Sequence, residues 1–378
     1  MKTPAHIQNR LLLLLIWLLT MISPDIILAQ YTPEVYKLEN PIFSLPQKIN
    51  LALKQSISDK SIKRIWLAYF IRNEYDSRNI NFYPNTKCVN KKYPILRELI
   101  HGRISESDLL HKNDRTLSHC NHQFSEKKNV DELVILLDYY LESGHPKILQ
   151  LLVSTFETHF DLENKPIYWL GKSTENESID LLIKLFSLNS EVFLRNQIII
   201  GVSSHPAGRK IYDFLDKILS ENHEKELKEN AIFSLGNLAT SYSDRILSKF
   251  IRKSDDDNLN KKAILALSQS ENPKTFHLLT AIAIKGDNKS VRKEAIFSLS
   301  QIEHQKRLDV LRRIAFMDKH CDIQKFAVFV LGQMQNPGAA NVLHQLSKKH
   351  PSRNIRKKAL FWINNQKAPY NHQIIPTE

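Results

Sequence analysis

The segment Ser290-Val-Arg-Lys-Glu-Ala-Ile-Phe-Ser-Leu299 decides the fold, because its pattern recurs along the C-terminal half of the chain at a fixed interval. Aliphatic residues stand four places before and four places after its central alanine, so the three side chains share one face of a helix. The alanine returns at one constant interval in five copies: Ala231, Ala263, Ala295, Ala327 and Ala359. Five copies in unbroken register indicate an internal repeat.

A second apolar helix precedes each copy. Its leucines keep the same register, at Leu247, Leu279, Leu311 and Leu343. Four side chains are predicted to cap the alanine-centred helices: Asn258, Ser290, Asp322 and Asn354. The unit is therefore a helical hairpin, which cannot bury its apolar face alone, so neighbouring hairpins must stack into one continuous core.

Weaker copies of the pattern extend upstream. Residues 194–202, 166–186 and 131–156 are each interpreted as helical, the last as a hairpin around Ser143-Gly-His-Pro146. We therefore predict an all-α chain, an α/α superhelix in the form of a right-handed solenoid of about seven or eight hairpins. The predicted domains are a solenoid over residues 129–367, a small, partly irregular N-terminal cap over residues 30–128 and a disordered tail over residues 368–378. Residues 61–71 in the cap fit a strand or a helix about equally well.

The repeat resembles a known family. Ser290–Leu299 and Gln335-Asn-Pro-Gly-Ala-Ala-Asn-Val-Leu343 are similar to the short bacterial HEAT repeats called PBS-lyase-like, in which an Asp-Pro turn, a Val-Arg pair and an alanine recur. Tyr168–Gly171 and Ala359–Ile363 look like the same motif. The resemblance implies an α/α superhelix used for protein contacts. The family has a glycine after the second helix, and this sequence keeps it only at Gly171, Gly236 and Gly332. Because of this departure from the family pattern, we do not expect the superhelix to be uniformly curved.

Residues 1–29 have the anatomy of a secretory signal peptide. Lys2 and Arg10 precede a nearly unbroken apolar run over residues 11–22, and Ala29 ends a plausible cleavage site. The run is short for a membrane-spanning helix, which needs roughly 20 residues. We expect an exported chain, periplasmic or secreted, with no transmembrane span after cleavage. An uncleaved N-terminal membrane anchor is the alternative.

The sequence contains little that points to catalysis or to a cofactor. Phosphate-binding glycine loops, G-x-S-x-G and H-E-x-x-H are absent, and His223-Glu224 is the only His-Glu pair. Four residues lie close together in the N-terminal part, but their spacing matches no standard zinc pattern: His111, His119, Cys120 and His122. We expect no enzyme, no cofactor and no metal. In an oxidising compartment Cys88 and Cys120 are candidates for a disulfide, and three free thiols, including Cys321, are the alternative.

The excess positive charge is concentrated on the five alanine-centred repeats. Residues 226–367 hold 25 basic and 13 acidic side chains, which is +12 of the chain's net +13. In a stacked array equivalent positions line up, so the sequence predicts a cationic ladder formed by Lys261, Arg292, Lys293, Lys325, Arg356 and Lys357. The ladder is either an ordinary solvated surface or a groove for an anionic partner.

These features lead to two functional hypotheses. The first is an exported scaffold that binds another protein. The alternative is a module in which the ladder binds lipid head groups, a polysaccharide or an acidic protein. Nucleic acid is an unlikely partner for an exported chain, and aromatic residues that could stack on bases are sparse along the ladder.

Overall fold

A computed structural model of the chain describes residues 34–72, 132–141, 145–154, 165–270, 272, 274–334 and 336–366. The chain divides into two compact units, residues 1–206 and residues 207–378. The predicted signal peptide, the Cys88–Cys120 pair, the histidines around Cys120 and the C-terminal tail all lie outside the described residues. None of the helices in the described part is long and apolar enough to cross a membrane.

The first unit contains a mixed β-sheet. Its elements are β1 (Val35–Lys37), α1 (Leu45–Ser58), β2 (Arg64–Arg72), β3 (Glu132–Tyr140), β4 (Lys147–Ser154), β5 (Ile167–Lys172), α2 (Glu175–Leu188) and α3 (Val192–Ser203). The strand order is β1-β5-β2-β3-β4. Strand β5 pairs in parallel with β1 and β2, whereas β3 pairs antiparallel with β2 and β4. The central strands are almost completely buried on both faces.

This sheet corrects the prediction for residues 131–171. Strands β3 and β4 occupy the segment that was interpreted as a helical hairpin, and β5 contains the Tyr168–Gly171 motif that looked like a repeat. For β3 and β5 the error has a physical cause: a strand buried on both faces is a continuous apolar run, and such a run has no periodicity to separate it from a buried helix. Gly171 is a strand residue with φ of +72°, not the glycine of a helical repeat. The segments 179–186 and 194–202 are helical as predicted.

A buried hydrogen-bond chain joins the sheet to α2 and to the end of α3. The hydroxyl of Tyr69 lies 3.0 Å from Ser178 Oγ, and His205 Nε2 lies 2.7 Å from the same oxygen. His205 Nδ1 is 2.8 Å from the carbonyl oxygen of Gly201. Because a carbonyl only accepts, Nδ1 carries the proton, Ser178 donates to Nε2 and Tyr69 donates to Ser178. Burial lowers the pKa of His205 to about 4, although the carbonyls of Gly201 and Val202 act in the opposite direction.

The second unit consists of helical hairpins in the described residues 207–366. The helices are α4 (Arg209–Ser220), α5 (Lys225–Leu238), α6 (Ser241–Lys253), α7 (Asp257–Ser268), α8 (Thr275–Lys285), α9 (Lys289–Gln301), α10 (Arg307–Met317), α11 (Cys321–Gln333), α12 (Pro337–Lys349) and α13 (Arg353–Gln366). They form five hairpins, and α2–α3 is a sixth in the first unit. The predicted helical solenoid is thus confirmed, with fewer hairpins than expected because the sheet replaces the upstream ones.

The alanine register marks the core of the second unit. All five repeat alanines are completely buried, and they lie on the second helix of each hairpin: α5, α7, α9, α11 and α13. These second helices pack against one another in that order. Small residues allow the close approach, since a Cβ added to Gly236 on α5 would lie 2.9 Å from Ala266 Cβ on α7.

The second helices begin earlier than predicted. Asp256 caps α7 by accepting from the backbone N–H groups of Asn258 and Leu259, and Asn288 caps α9 in the same way. The predicted caps Asn258 and Ser290 therefore lie inside the first helical turn. An N-cap side chain and the residue two places later are both polar in each copy, so the pattern alone did not separate them.

The buried His205 predicts a pH dependence of stability. Its pKa is about 4 in the folded chain and ordinarily 6.5, so the unfolded chain binds the extra proton as the pH falls through this window. We expect His205 to remove about 3 kcal/mol of stability between pH 7 and pH 4. Urea unfolding of the wild type and His205→Gln at several pH values measures this difference. Parallel pH profiles for the two proteins would contradict the assignment.

Candidate functional site

The second helices of the last four hairpins share an exposed face with three kinds of side chain. We call the first the cationic column: Lys261, Lys293, Lys325 and Lys357. The apolar column stands four residues later: Leu265, Phe297, Phe329 and Phe361. The amide column follows after four more residues: Gln269, Gln301, Gln333 and Asn365. Steps of four residues keep one helical face, so the columns run side by side about 6 Å apart along each helix. Together they form what we call the open face.

Contacts between neighbouring helices show that equivalent positions lie next to each other. Glu229 on α5 forms a 2.6 Å ion pair with Lys262 on α7. The ammonium of Lys293 on α9 lies 5.8 Å from the ring centre of Phe326 on α11. In each pair the two residues differ by one position in the repeat. The columns are therefore continuous across the helices.

Three of the four side chains of the apolar column are exposed, whereas Phe329 is half-buried and its ring centre lies 5.6 Å from that of Trp362. Leu265, Phe297 and Phe361 expose 53%, 43% and 54% of their surface, and Phe233 at the same position of α5 exposes 37%. Single apolar residues at a protein surface are ordinary, but a row of large ones in repeat register marks an interaction site. The fold does not need the three exposed side chains, because the buried face of each helix is already filled by the alanine and its aliphatic neighbours.

The cationic column brings like charges on neighbouring helices close together. Burial lowers the pKa of Lys358, the neighbour of Lys357 on α13, and the cations of Lys325 and Lys293 lower the same pKa further. Acidic neighbours offset the charge only in part. Asp322 lies 4.0 Å from Lys325, and Glu229 takes the lysine position in α5, so the column begins at α7.

Two arginines of the predicted ladder do not belong to it. Arg292 is only 1% exposed: its Nε donates to the carbonyl oxygen of Ala283 over 2.8 Å, and its guanidinium pairs with the buried Asp318. Arg356 donates to the carbonyl oxygen of His350 over 2.6 Å. The same repeat position holds Asn260 and Gln324, which donate to the carbonyl oxygens of Ser254 and Asp318. This position therefore satisfies carbonyls at the hairpin turn, which a helix end leaves without intrahelical partners.

A depression lies between α9 and α11 on the open face. Its volume is about 380 Å³, and it is lined by Phe297, Gln301, Val330 and Gln333 together with Ser300, Arg307, Met334 and Asn336. One residue of the apolar column and two of the amide column thus border a space that could receive a side chain of a ligand.

The described residues contain no other candidate. No three His, Cys, Asp or Glu side chains among them are grouped as a metal site. Cys321 is an exposed free thiol at the start of α11. His205, which follows Ser203-Ser204, is buried in the hydrogen-bond chain of the first unit.

The comparison with protein families agrees with this geometry. A model of HEAT repeats matches residues 212–300, which extend from α4 to α9. Residues 212–300 are HEAT repeats. The same register continues through α13, so the open face lies on the HEAT hairpins and on their continuation. HEAT repeats are generally scaffolds for protein interactions.

Three solved structures are similar to the chain. A lipovitellin chain, from a study of its lipid–protein interactions, is 11% identical with a TM-score of 0.36; the match covers 62% of this chain and 32% of that one. Human deoxyhypusine hydroxylase in complex with glycerol is 13% identical, with a TM-score of 0.22 and coverages of 50% and 85%. The CpcE–CpcF phycocyanin lyase complex from Nostoc sp. PCC7120 is 14% identical, with a TM-score of 0.25 and coverages of 50% and 82%. No curated protein shows a significant sequence match.

The apolar and amide columns of the HEAT hairpins were missed by sequence reasoning. Both keep the register of the alanines, two and six places after them, and this signal was readable. The interpretation that aromatic residues are sparse along the ladder is wrong, because Phe297, Phe329 and Phe361 each lie one helical turn from a lysine of the cationic column.

Adjacent residues on α9 give a test of these assignments. We expect Arg292→Gln to cost about 3–5 kcal/mol, because it leaves Asp318 buried without its partner. Lys293→Gln removes the same charge from the exposed face and should change stability by less than about 0.5 kcal/mol. Urea unfolding of the two variants measures the difference, and equal losses would contradict the separation of the two roles.

Proposed function

We propose that the chain is an exported, non-enzymatic scaffold that binds another protein on the open face. The apolar column supports this proposal, because Leu265, Phe297 and Phe361 stand in repeat register with large apolar side chains exposed to solvent. The general role of HEAT repeats supports a protein partner. Export is supported by the composition of residues 1–29, with their positive start, short apolar run and small residue at position 29.

A second candidate function is an anion-binding module. The specific observation is the cationic column itself, in which four lysines occupy the same repeat position on four helices that pack in sequence. A lipid surface would use the cationic column together with the exposed phenylalanines, and a polysaccharide would use the lysines and the amides, so the columns alone do not separate these ligands from a protein. The match to HEAT repeats, which are generally scaffolds for protein interactions, favours the protein. For this reason the protein partner is the better supported of the two.

Site-specific crosslinking in the native cell tests the scaffold. A photoreactive amino acid at Phe297 should capture a discrete partner, whereas the same group at Arg313, which is exposed on the first helix α10, should not. In the wild-type background Phe297→Ser with Phe361→Ser should abolish co-purification of that partner. Met317→Ser is the matched control, since Met317 is 77% exposed and lies off the open face. Capture of the same species from both positions would reject the proposed face.

Fractionation tests export separately. The native protein should be recovered outside the cytosol with an N-terminus immediately after Ala29, as found by N-terminal sequencing. A full-length chain in the membrane fraction would support the uncleaved anchor instead. A cytosolic full-length chain would refute export and leave the binding proposal standing.

A further inference from the structure

The side chains of each column on the open face recur at the distance between neighbouring helices, and a ligand that contacts several of them must have groups at the same spacing. Neighbouring packed helices are about 8–10 Å apart, so each column presents one side chain per 8–10 Å across α7, α9, α11 and α13. A polypeptide in the polyproline II conformation has three residues per turn and rises about 3.1 Å per residue, which gives about 9 Å per turn. Every third side chain of such a segment therefore points the same way at the spacing of the helices.

The three columns offer partners for every part of such a segment. The cationic column suits carboxylates, and the exposed side chains of Leu265, Phe297 and Phe361 suit apolar groups. The depression beside Phe297 has a mainly polar lining, with Gln301 and Gln333 among its residues, so it suits a polar group of the ligand. The amide column can both donate and accept hydrogen bonds. A polyproline II segment has free backbone N–H and C=O groups to use these amides, whereas a helical ligand has none along its length.

We propose that the open face binds an extended acidic segment of a partner protein, in which a carboxylate recurs at every third residue. This inference rests on the proposed scaffold function and names its ligand. Four carboxylates, at positions 1, 4, 7 and 10 of a segment of about ten residues, pair with Lys261, Lys293, Lys325 and Lys357. The residues between them face the apolar and amide columns.

Other ligand conformations fit the spacing less well. In a β-strand the side chains of one face recur every second residue, about 6.6–6.8 Å apart, so they lose register with the helices within two steps. A helical ligand would need acidic residues about seven positions apart, at about 1.5 Å per residue. Spacing is therefore the property that a binding experiment should vary.

The test compares labelled peptides of one composition by fluorescence anisotropy with the full chain. The first peptide carries four glutamates at every third position, the second carries them consecutively, and the third carries them at every second position. We expect the first to bind about tenfold more tightly than the others and to weaken at least about tenfold when the NaCl concentration is raised from about 50 to about 500 mM. Equal affinity for the three peptides would overturn the inference.

Matched variants locate the binding. Replacing the four lysines of the cationic column by alanine should abolish the preference for the spaced peptide. Replacing Lys285, Lys319, Lys348 and Lys349 removes the same charge from exposed positions on or just after the first helices and should leave it intact. Thermal unfolding of both variants checks that they are folded. Equal loss in the two variants would show charge attraction without a site.

Two further arms separate other ligand classes. Heparin, vesicles with anionic phospholipid and single-stranded oligo-dT are titrated under the same conditions, and tighter binding of any of them than of the spaced peptide overturns the peptide inference. The crosslinking experiment distinguishes a failure of the peptide inference from a failure of the scaffold proposal. A partner captured at Phe297 together with no preference for the spaced peptide refutes the inference and keeps the scaffold, whereas no capture at Phe297 refutes the scaffold itself.

Discussion

The close packing of one alanine-bearing helix against the next is the constraint on which the second unit depends. Ala231, Ala263, Ala295, Ala327 and Ala359 are completely buried, and the helices that carry them contact one another in sequence. A larger residue there would overpack the contact at a cost of about 1–3 kcal/mol. Because the interval between the alanines is constant, every other position of the helix is also repeated at the distance between helices. The packing distance between the buried alanine helices therefore also sets the distance between equivalent side chains on the surface.

This repetition separates residues that are neighbours in the chain. Arg292 and Lys293 carry the same charge, but successive helical residues point about 100° apart, so one is buried against Asp318 and the other stands on the open face. Arg356 is half-buried and donates to the carbonyl oxygens of His350 and Pro351, whereas Lys357 is exposed. The arginine position satisfies the carbonyls of the hairpin turn, as do Asn260 and Gln324 in other copies. Basic residues in the repeat therefore have two roles: some stabilise the hairpin turn, and others place positive charge on the surface.

The open face combines features that rarely serve folding. Like charges on neighbouring helices oppose the compact state slightly, and the exposed rings of Phe297 and Phe361 keep apolar surface in water. Both costs would be relieved by one ligand with carboxylates and apolar groups. The first unit shows the opposite arrangement, in which Tyr69, Ser178 and His205 satisfy one another inside the protein and leave no group directed to solvent.

The sequence by itself determined the helical hairpins of the second unit, because small residues at a constant interval, each with aliphatic residues four places before and after it, indicate a repeated helix with one buried face. It also placed the lysines of the cationic column in register. It did not determine the sheet, since the apolar runs of β3 and β5 are buried on both faces and carry no periodic signal. Only the tertiary structure decided that Arg292 is buried and that Leu265, Phe297 and Phe361 are exposed. Those outcomes depend on which faces the neighbouring helices cover, and a pattern in one helix contains no information about that.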